Sequence, residues 1–207
     1  FGRPAGGGFA EGVSRVAFSD ADVAGRKYVM DLMRAAGLEP RVDPAGNIFG
    51  RRRGGDPTLP PILFGSHIDS VPSGGNFDGD LGSLSAIETV RTLHDHGVVT
   101  RHPLQVVIWS NEEGGTIGSR AGVGDLTPED LERSYNGFTR ADGIRRLGGE
   151  PTRLGDARLE PGAFHCYLEL HIEQGGNLHK AGIPVGVVEG IVSIDEYDVE
   201  IRGFANH

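Results

Sequence analysis

The sequence predicts an α/β domain built on a largely parallel central sheet flanked by helices. Three observations predict it. Apolar runs of strand length recur at 62–65, 104–109 and 166–170. Segments with helical periodicity separate them, and Gly- and Pro-rich turns punctuate the boundaries.

Along the chain, residues 19–36 read as a helix. Ser19 is a capping residue, Asp22 stands three later in the first turn, and Val29, Leu32, Met33 and Ala36 recur at helical spacing before Gly37. Residues 38–53 read as two short strands around the turn signal Ala45-Gly46-Asn47. Pro60-Pro61 leads into a buried strand at 62–65, directly before His67. A second helix spans 81–96 with Leu84, Ile87, Val90 and Leu93 inward, and Gly97 ends it. The apolar run at 104–109 is a further buried strand. The polar, Gly- and Pro-rich stretch 122–162 reads as a connecting layer with short helical hints at 128–134 and 139–147. A strand at 166–170, a short helix or turn through HIEQGGNLHKAG, and strands at 184–192 and 195–202 complete the expectation.

Composition narrows the function. The 207-residue chain has 20 basic and 29 acidic residues, a formal net charge of -9, and its basic residues cluster only at Arg51–Arg53. A nucleic-acid footprint is therefore missing. No apolar run approaches the roughly 18 residues of a membrane span, so neither nucleic acid nor membrane is an expected partner. Cys166 is the one cysteine, which excludes an intrachain disulfide and fits a reducing, cytoplasmic compartment. The first residue is Phe1 and a strand-like run precedes His207, so the chain is expected to be part of a longer protein.

The chemistry concentrates after the strands. GSHIDSVPSGGNFDG, residues 65–79, sets His67, Asp69 and Asp78 around a Gly-rich turn; Glu112 and Glu113 follow LQVVIWS, and His171 follows CYLEL. In open α/β sheets ligands gather beyond the carboxyl ends of the strands. Imidazole and carboxylate together suit zinc, with manganese and cobalt also compatible. Asp78 is the natural bridge between two divalent ions, since one carboxylate can bind both. Asp69, two residues after His67, is placed to accept the proton of the second imidazole nitrogen. Of the adjacent glutamates, Glu113 is assigned to metal and Glu112 to proton transfer. Each pattern alone is common, and Asp78-Gly79 alone would be an ordinary turn. Together they specify a metal site. His94, His96, His102, His165 and His179 are read as surface or packing residues.

Read together, these segments resemble the M20 metallohydrolases, and within them the amidase, hydantoinase and carbamoylase branch of N-carbamoyl-L-amino-acid hydrolases, beta-ureidopropionases and allantoate amidohydrolases. VSRVAFSDAD, GNIFGR, GSHIDSVPSGGNFDG, NEEG, LELHIEQG, GVVEGI and GFANH carry the resemblance. It implies a di-zinc exopeptidase-like catalytic domain over 1–193 and the start of a smaller α+β lid and dimerisation domain over 194–207. It implies His67, Asp78, Glu113 and His171 as metal ligands of two divalent ions, with Asp78 bridging, Asp69 behind His67 and Glu112 as general base. Gln174 matches a substrate-contacting glutamine. His207 matches a histidine that reaches the partner subunit's site to steady the substrate carbonyl, so a homodimer is implied. Histidine rather than carboxylate at 171 points to ureido compounds rather than peptides.

The resemblance also marks two departures. The last metal-binding histidine and the residues that hold the substrate carboxylate lie beyond His207, and GGTIGSRAGVGDL is shorter than the family's usual continuation, in which an arginine and a phenylalanine follow the glycine. The implied activity is metal-dependent hydrolysis of linear carbon–nitrogen amide bonds in ureido compounds, foremost N-carbamoyl-L-amino acids, releasing ammonia and carbon dioxide. An allantoate amidohydrolase is the nearest alternative. A non-catalytic metal-binding or assembly piece is the alternative of another class, and a peptidase the third.

Overall fold

The computed structural model describes residues 1–191, 197, 199–204 and 206. His207, the predicted 193/194 boundary and part of the predicted strand 195–202 lie outside them. The chain divides into two compact units, Phe1–Ile172 and Glu173–His207.

In the first unit, helix α1 (Asp20–Ala35) begins where the capping residue predicts: the Ser19 hydroxyl accepts the Asp22 N–H at 3.1 Å. The Asp22 carboxylate is itself buried and accepts the Phe18 N–H at 2.9 Å, fixing the chain's entry into the helix. Strands β1 (Glu39–Val42) and β2 (Ile48–Arg52) form the predicted hairpin. Its turn is tied by Asp43, whose carboxylate accepts the N–H groups of Ala45 and Asn47 and the Asn47 amide. Strand β3 (Ile62–His67), helix α2 (Asp80–Asp95) and strand β4 (Leu104–Trp109) follow. β3 runs two residues beyond the expectation, so His67 is its last residue.

Helix α3 (Ile117–Val123) was not anticipated, because Gly118 and Gly122 interrupt its periodicity. Those glycines let it lie close to the sheet: a Cβ on Gly118 would meet the Ser110 nitrogen at 2.6 Å. Helix α4 (Pro128–Glu132), the small hairpin β5 (Ser134–Tyr135) and β6 (Phe138–Thr139), helix α5 (Arg140–Arg146) and strand β7 (Cys166–Leu168) complete the unit.

The main sheet has the order β1-β2-β4-β3-β7. β3 is parallel to both β4 and β7, while β2 pairs antiparallel with β1 and β4. The expected α/β architecture with a parallel centre is therefore present, with an antiparallel hairpin on one edge. The connection from β3 leads to β4 on one side, and the next strand of the sheet, β7, lies on the other. β3 is thus the switch point, where a crevice opens beyond the strand ends. Strand periodicity sorts the core. Ile48, Val106 and Ile108 face α1 and α2, packing with Met33, Ile87 and Val90, while Phe49, Leu63 and Val107 cluster on the opposite face.

The second unit holds helix α6 (Asn177–Ala181). The Glu173 carboxylate caps it by accepting the Leu178 and His179 N–H groups at 2.8 and 3.4 Å. The predicted strand 184–192 is a correction: its described residues are in neither helix nor strand, and Val187 and Ile191 are more than nine-tenths exposed. A strand requires a neighbour to satisfy its N–H and C=O groups, and among the described residues none pairs with it. The described residues of 195–202 are likewise outside any strand. No helix among the described residues is long and apolar enough to cross a membrane.

Candidate metal centre

Three of the four predicted ligands converge. One donor atom each from His67, Asp78 and His171 lies within 4.8 Å of the others. His67 ends β3, Asp78 stands two residues before the first residue of α2, and His171 follows β7. The two imidazoles are oriented alike. His67 Nδ1 lies 3.0 Å from the Asp69 carbonyl and His171 Nδ1 lies 2.8 Å from the Ile172 carbonyl. Each ring therefore donates through Nδ1 and turns the lone pair of Nε2 to Asp78, at 3.7 Å for His67 and 3.1 Å for His171. Two imidazoles with fixed tautomers facing one carboxylate make a borderline N2O donor set that fits a divalent ion.

Backbone packing brings these groups together. Gly79 has φ 65°, and a Cβ there would lie 2.5 Å from the His67 ring, so only glycine lets the start of α2 approach β3. Gly82 gives room in the same way to the Leu170 carbonyl and the Ser66 side chain. The Ser66 hydroxyl donates to Glu169 at 2.6 Å, and the Tyr167 hydroxyl donates to the same carboxylate at 2.8 Å. These bonds hold the chain between β7 and His171 against β3.

Asp69 does something other than expected. Its nearest carboxylate oxygen is 3.8 Å from His67 Nδ1, and its backbone carbonyl takes that proton instead. The carboxylate accepts the backbone N–H groups of Glu112 and Glu113 at 3.2 and 3.1 Å, anchoring the glutamate turn to the end of β3. With the carboxylate turned to these two N–H groups, the Asp69 carbonyl is the nearer acceptor for the ring. Glu112 Oε2 lies 3.7 Å from His67 Nε2, the nitrogen that also faces Asp78. Glu113 is outside the group of three. The turn itself is strained at Thr116, φ 52°, a conformation costing about 1–2 kcal/mol for a β-branched residue, whereas Asn111, φ 46°, is of a type that adopts it readily.

Gln174, the second residue of the second unit, has a left-handed conformation, φ 52°. The sequence reading overlooked Arg15, Tyr135 and Arg140. A signal existed for Arg15, one cation inside the apolar run VSRVAF; nothing local marks the other two.

Burial pushes the Asp69 carboxyl up to about 7, although His67 and the two backbone N–H groups oppose it. Burial works to lower the His67 imidazole, but Asp69, Glu112 and Glu113 outweigh it and its net shift is upward. Both groups then hold protons in the folded state at pH values where the unfolded chain has released them. Without metal, stability is therefore expected to fall as pH rises from about 4 to about 7. Metal requires a neutral imidazole, so its affinity changes in the opposite sense, by about tenfold per pH unit for each proton displaced. The rise in Tm on adding zinc is expected to grow steadily from pH 5.5 to 7.5. A constant rise across that range would contradict the assignment of His67.

An α/β sheet with imidazole and carboxylate donors at its switch point defines a class: α/β proteins with a candidate divalent-metal centre beyond the strand ends. Residues 63–206 match peptidase family M20/M25/M40, and the chain belongs to that family. It is similar to the N-carbamoyl-L-amino acid amidohydrolase of Geobacillus stearothermophilus, 45% identical over 202 residues, which are 95% of this chain and 49% of that protein. The ureidoglycolate hydrolase of Arabidopsis thaliana is 36% identical over 207 residues, 94% of this chain and 44% of that one. Among solved structures, a hydantoinase/carbamoylase family amidase from Burkholderia ambifaria has a TM-score of 0.74 at 38% identity, covering 84% of this chain and 44% of that chain. The chain spans about half the length of these relatives.

Proposed function

We propose that the full-length protein is a metal-dependent amidohydrolase that cleaves N-carbamoyl-L-amino acids to ammonia, carbon dioxide and the amino acid. The observation that carries this reading is the placing of Glu112 Oε2 3.7 Å from the same His67 nitrogen that faces Asp78. A carboxylate thus stands beside the donor cluster without belonging to it, which supports reading Glu112 as the base. The identity with the Geobacillus stearothermophilus enzyme supports the substrate class.

His67, Asp78 and His171 would hold the metal, Asp78 as a bridge if two ions bind, with Glu113 as a further ligand on the strength of the family resemblance. A divalent ion bound there supplies Lewis acidity toward a carbonyl oxygen and lowers the pKa of water. Glu112 accepts the proton of the attacking water and returns it to the leaving nitrogen. Asp69 keeps Glu112 in place by holding its backbone N–H. Gln174 and the partner's copy of the 207 histidine are assigned to the substrate by the same resemblance. Zinc is the ion inferred from the donor types. A homodimer, a cytoplasmic location and a division into a catalytic domain through residue 193 and a lid and dimerisation domain from 194 complete the reading.

The test is ammonia release by the full-length protein from a panel of N-carbamoyl-L-amino acids, allantoate and ureidoglycolate, with dipeptides in parallel and metal content measured. Turnover led by N-carbamoyl-L-amino acids with about two ions bound is expected. Preference for allantoate or ureidoglycolate moves the protein to another ureido substrate, and the 36% identity with the Arabidopsis enzyme is the observation favouring that second reading. Dipeptide cleavage without ureido turnover makes it a peptidase. Neither metal nor turnover leaves the non-catalytic alternative.

A further inference from the structure

The glutamate turn, residues 110–116, is closed by its own backbone, with the Thr116 and Gly115 N–H groups donating to the Glu112 carbonyl at 2.8 and 3.2 Å, but side chains distant in sequence hold its outer face. Asn111, Gly115 and Thr116 have φ of 46°, 117° and 52°. The Asn111 side chain is 1% exposed, and neither its Nδ2 nor its Oδ1 has a hydrogen-bond partner. On the N–H side, the Asp69 carboxylate holds Glu112 and Glu113. On the carbonyl side, Arg140 Nη2 donates at 2.9 Å to Gly114, the residue directly after Glu113. The guanidinium lies close against the turn: a Cβ on Gly115 would meet Nη2 at 2.7 Å. The Tyr135 ring closes the same space, with Cε1 2.7 Å from where a Gly114 Cβ would stand.

Arg140 faces the connecting layer through charge rather than hydrogen bonds, since its Nε and Nη1 are buried without a hydrogen-bond partner. Its Nη1 lies 3.6 Å from Asp130, and Asp130 accepts Arg120 Nη2 at 2.8 Å and the Thr127 N–H at 3.0 Å. Arg120 comes from α3, Asp130 from α4 and Arg140 from α5, so a charged chain across three helices ends on the carbonyl beside Glu113.

We propose that Arg140 is a positioning residue for Glu112, gripping the turn from its carbonyl side opposite Asp69. The proposal rests on the assignment of Glu112 as base. It concerns a residue that touches neither the donor cluster nor the base's carboxylate. Arg140 acts on the reaction by fixing where Glu112 stands; the donors of His67, Asp78 and His171 lie on other segments, while Glu113 shares the gripped turn.

The experiment compares full-length wild type, Arg140→Met and Arg140→Lys in metal content, kcat, KM and amide hydrogen exchange over 110–116. For Arg140→Met, kcat is expected to fall about 10- to 100-fold with KM within about threefold, a loss larger than any loss of metal through Glu113. Exchange over 110–116 is expected to speed by about tenfold while β3 keeps its protection. Arg140→Lys retains one donor and the charge, and is expected to lie between the two in both kcat and exchange. Unchanged exchange over 110–116, a kcat loss that tracks lost metal, or a lysine variant as impaired as methionine would overturn the proposal. If Arg140→Met does not fold, the lysine variant alone decides: faster exchange than wild type supports the grip and equal exchange refutes it. Exchange is read without substrate, so a wild type inactive on every ureido compound would defeat the functional reading while this inference still stood or fell on the exchange.

Discussion

Glu112→Gln is expected to lower kcat on N-carbamoyl-L-amino acids by about 10²- to 10⁴-fold, equivalent to about 3–5 kcal/mol of lost transition-state stabilisation. The substitution keeps the volume of the side chain and removes its capacity to accept a proton. The turn survives it, because Asp69 holds residue 112 through the backbone N–H rather than the side chain. Metal content is expected to stay at the wild-type level, since the converging donors belong to His67, Asp78 and His171. KM should change by no more than a few fold, the signature of an interaction made in the transition state. A variant that keeps kcat within about threefold would mean the base lies elsewhere, and one that loses metal in step with kcat would mean Glu112 is a ligand.

The legible parts of the molecule were those specified by neighbours in the chain. Ser19 and the helical spacing to Ala36 located α1 to within a residue, and the apolar run Leu104–Trp109 was β4 itself. His67 and His171 were legible for a related reason: a metal-capable side chain just after a strand-like run stands at a strand end, and parallel strands bring those ends together, while Asp78 was legible from the Gly-rich turn that leads into α2. What failed to read required partners distant in sequence. The β-prone 184–192 carries valine and isoleucine, but propensity without a pairing strand does not make a ladder. Asp69 was read from its spacing to His67, yet its carboxylate serves residues 43 and 44 positions away. Arg140 reaches Gly114 across 26 residues. No local pattern announces a contact of that kind.

Arg15 is where such a distant contact is expected to matter most for stability. Its side chain is buried, and one guanidinium serves three segments: Nε donates to the Ile68 carbonyl, Nη1 to the Phe1 carbonyl at 3.0 Å, and Nη2 to Asp80 at 2.5 Å. Ile68 follows His67, and Asp80 begins α2 two residues after Asp78. Arg15 therefore fastens together the two segments that carry these donors. Arg15→Met fills the space but leaves the Asp80 carboxylate without its cation. Removing one partner of a buried pair costs about 3–5 kcal/mol, and the lower end is expected because a fifth of the Asp80 side chain remains exposed. The deficit, read as a shift in urea midpoint at constant m, should depend on pH. Burial already raises the Asp80 carboxyl and Arg15 opposes it; without Arg15 the folded state holds that proton to still higher pH than the unfolded chain. Lowering the pH then stabilises the variant, so the deficit is expected to be largest near pH 7–8 and to shrink toward pH 5. Asp80→Asn removes the stranded charge by another route. Combined with Arg15→Met it should recover stability, giving a coupling of about 1–3 kcal/mol. Strict additivity would show that Arg15 acts through its two carbonyl contacts alone and that Asp80 plays no part in holding β3 to α2.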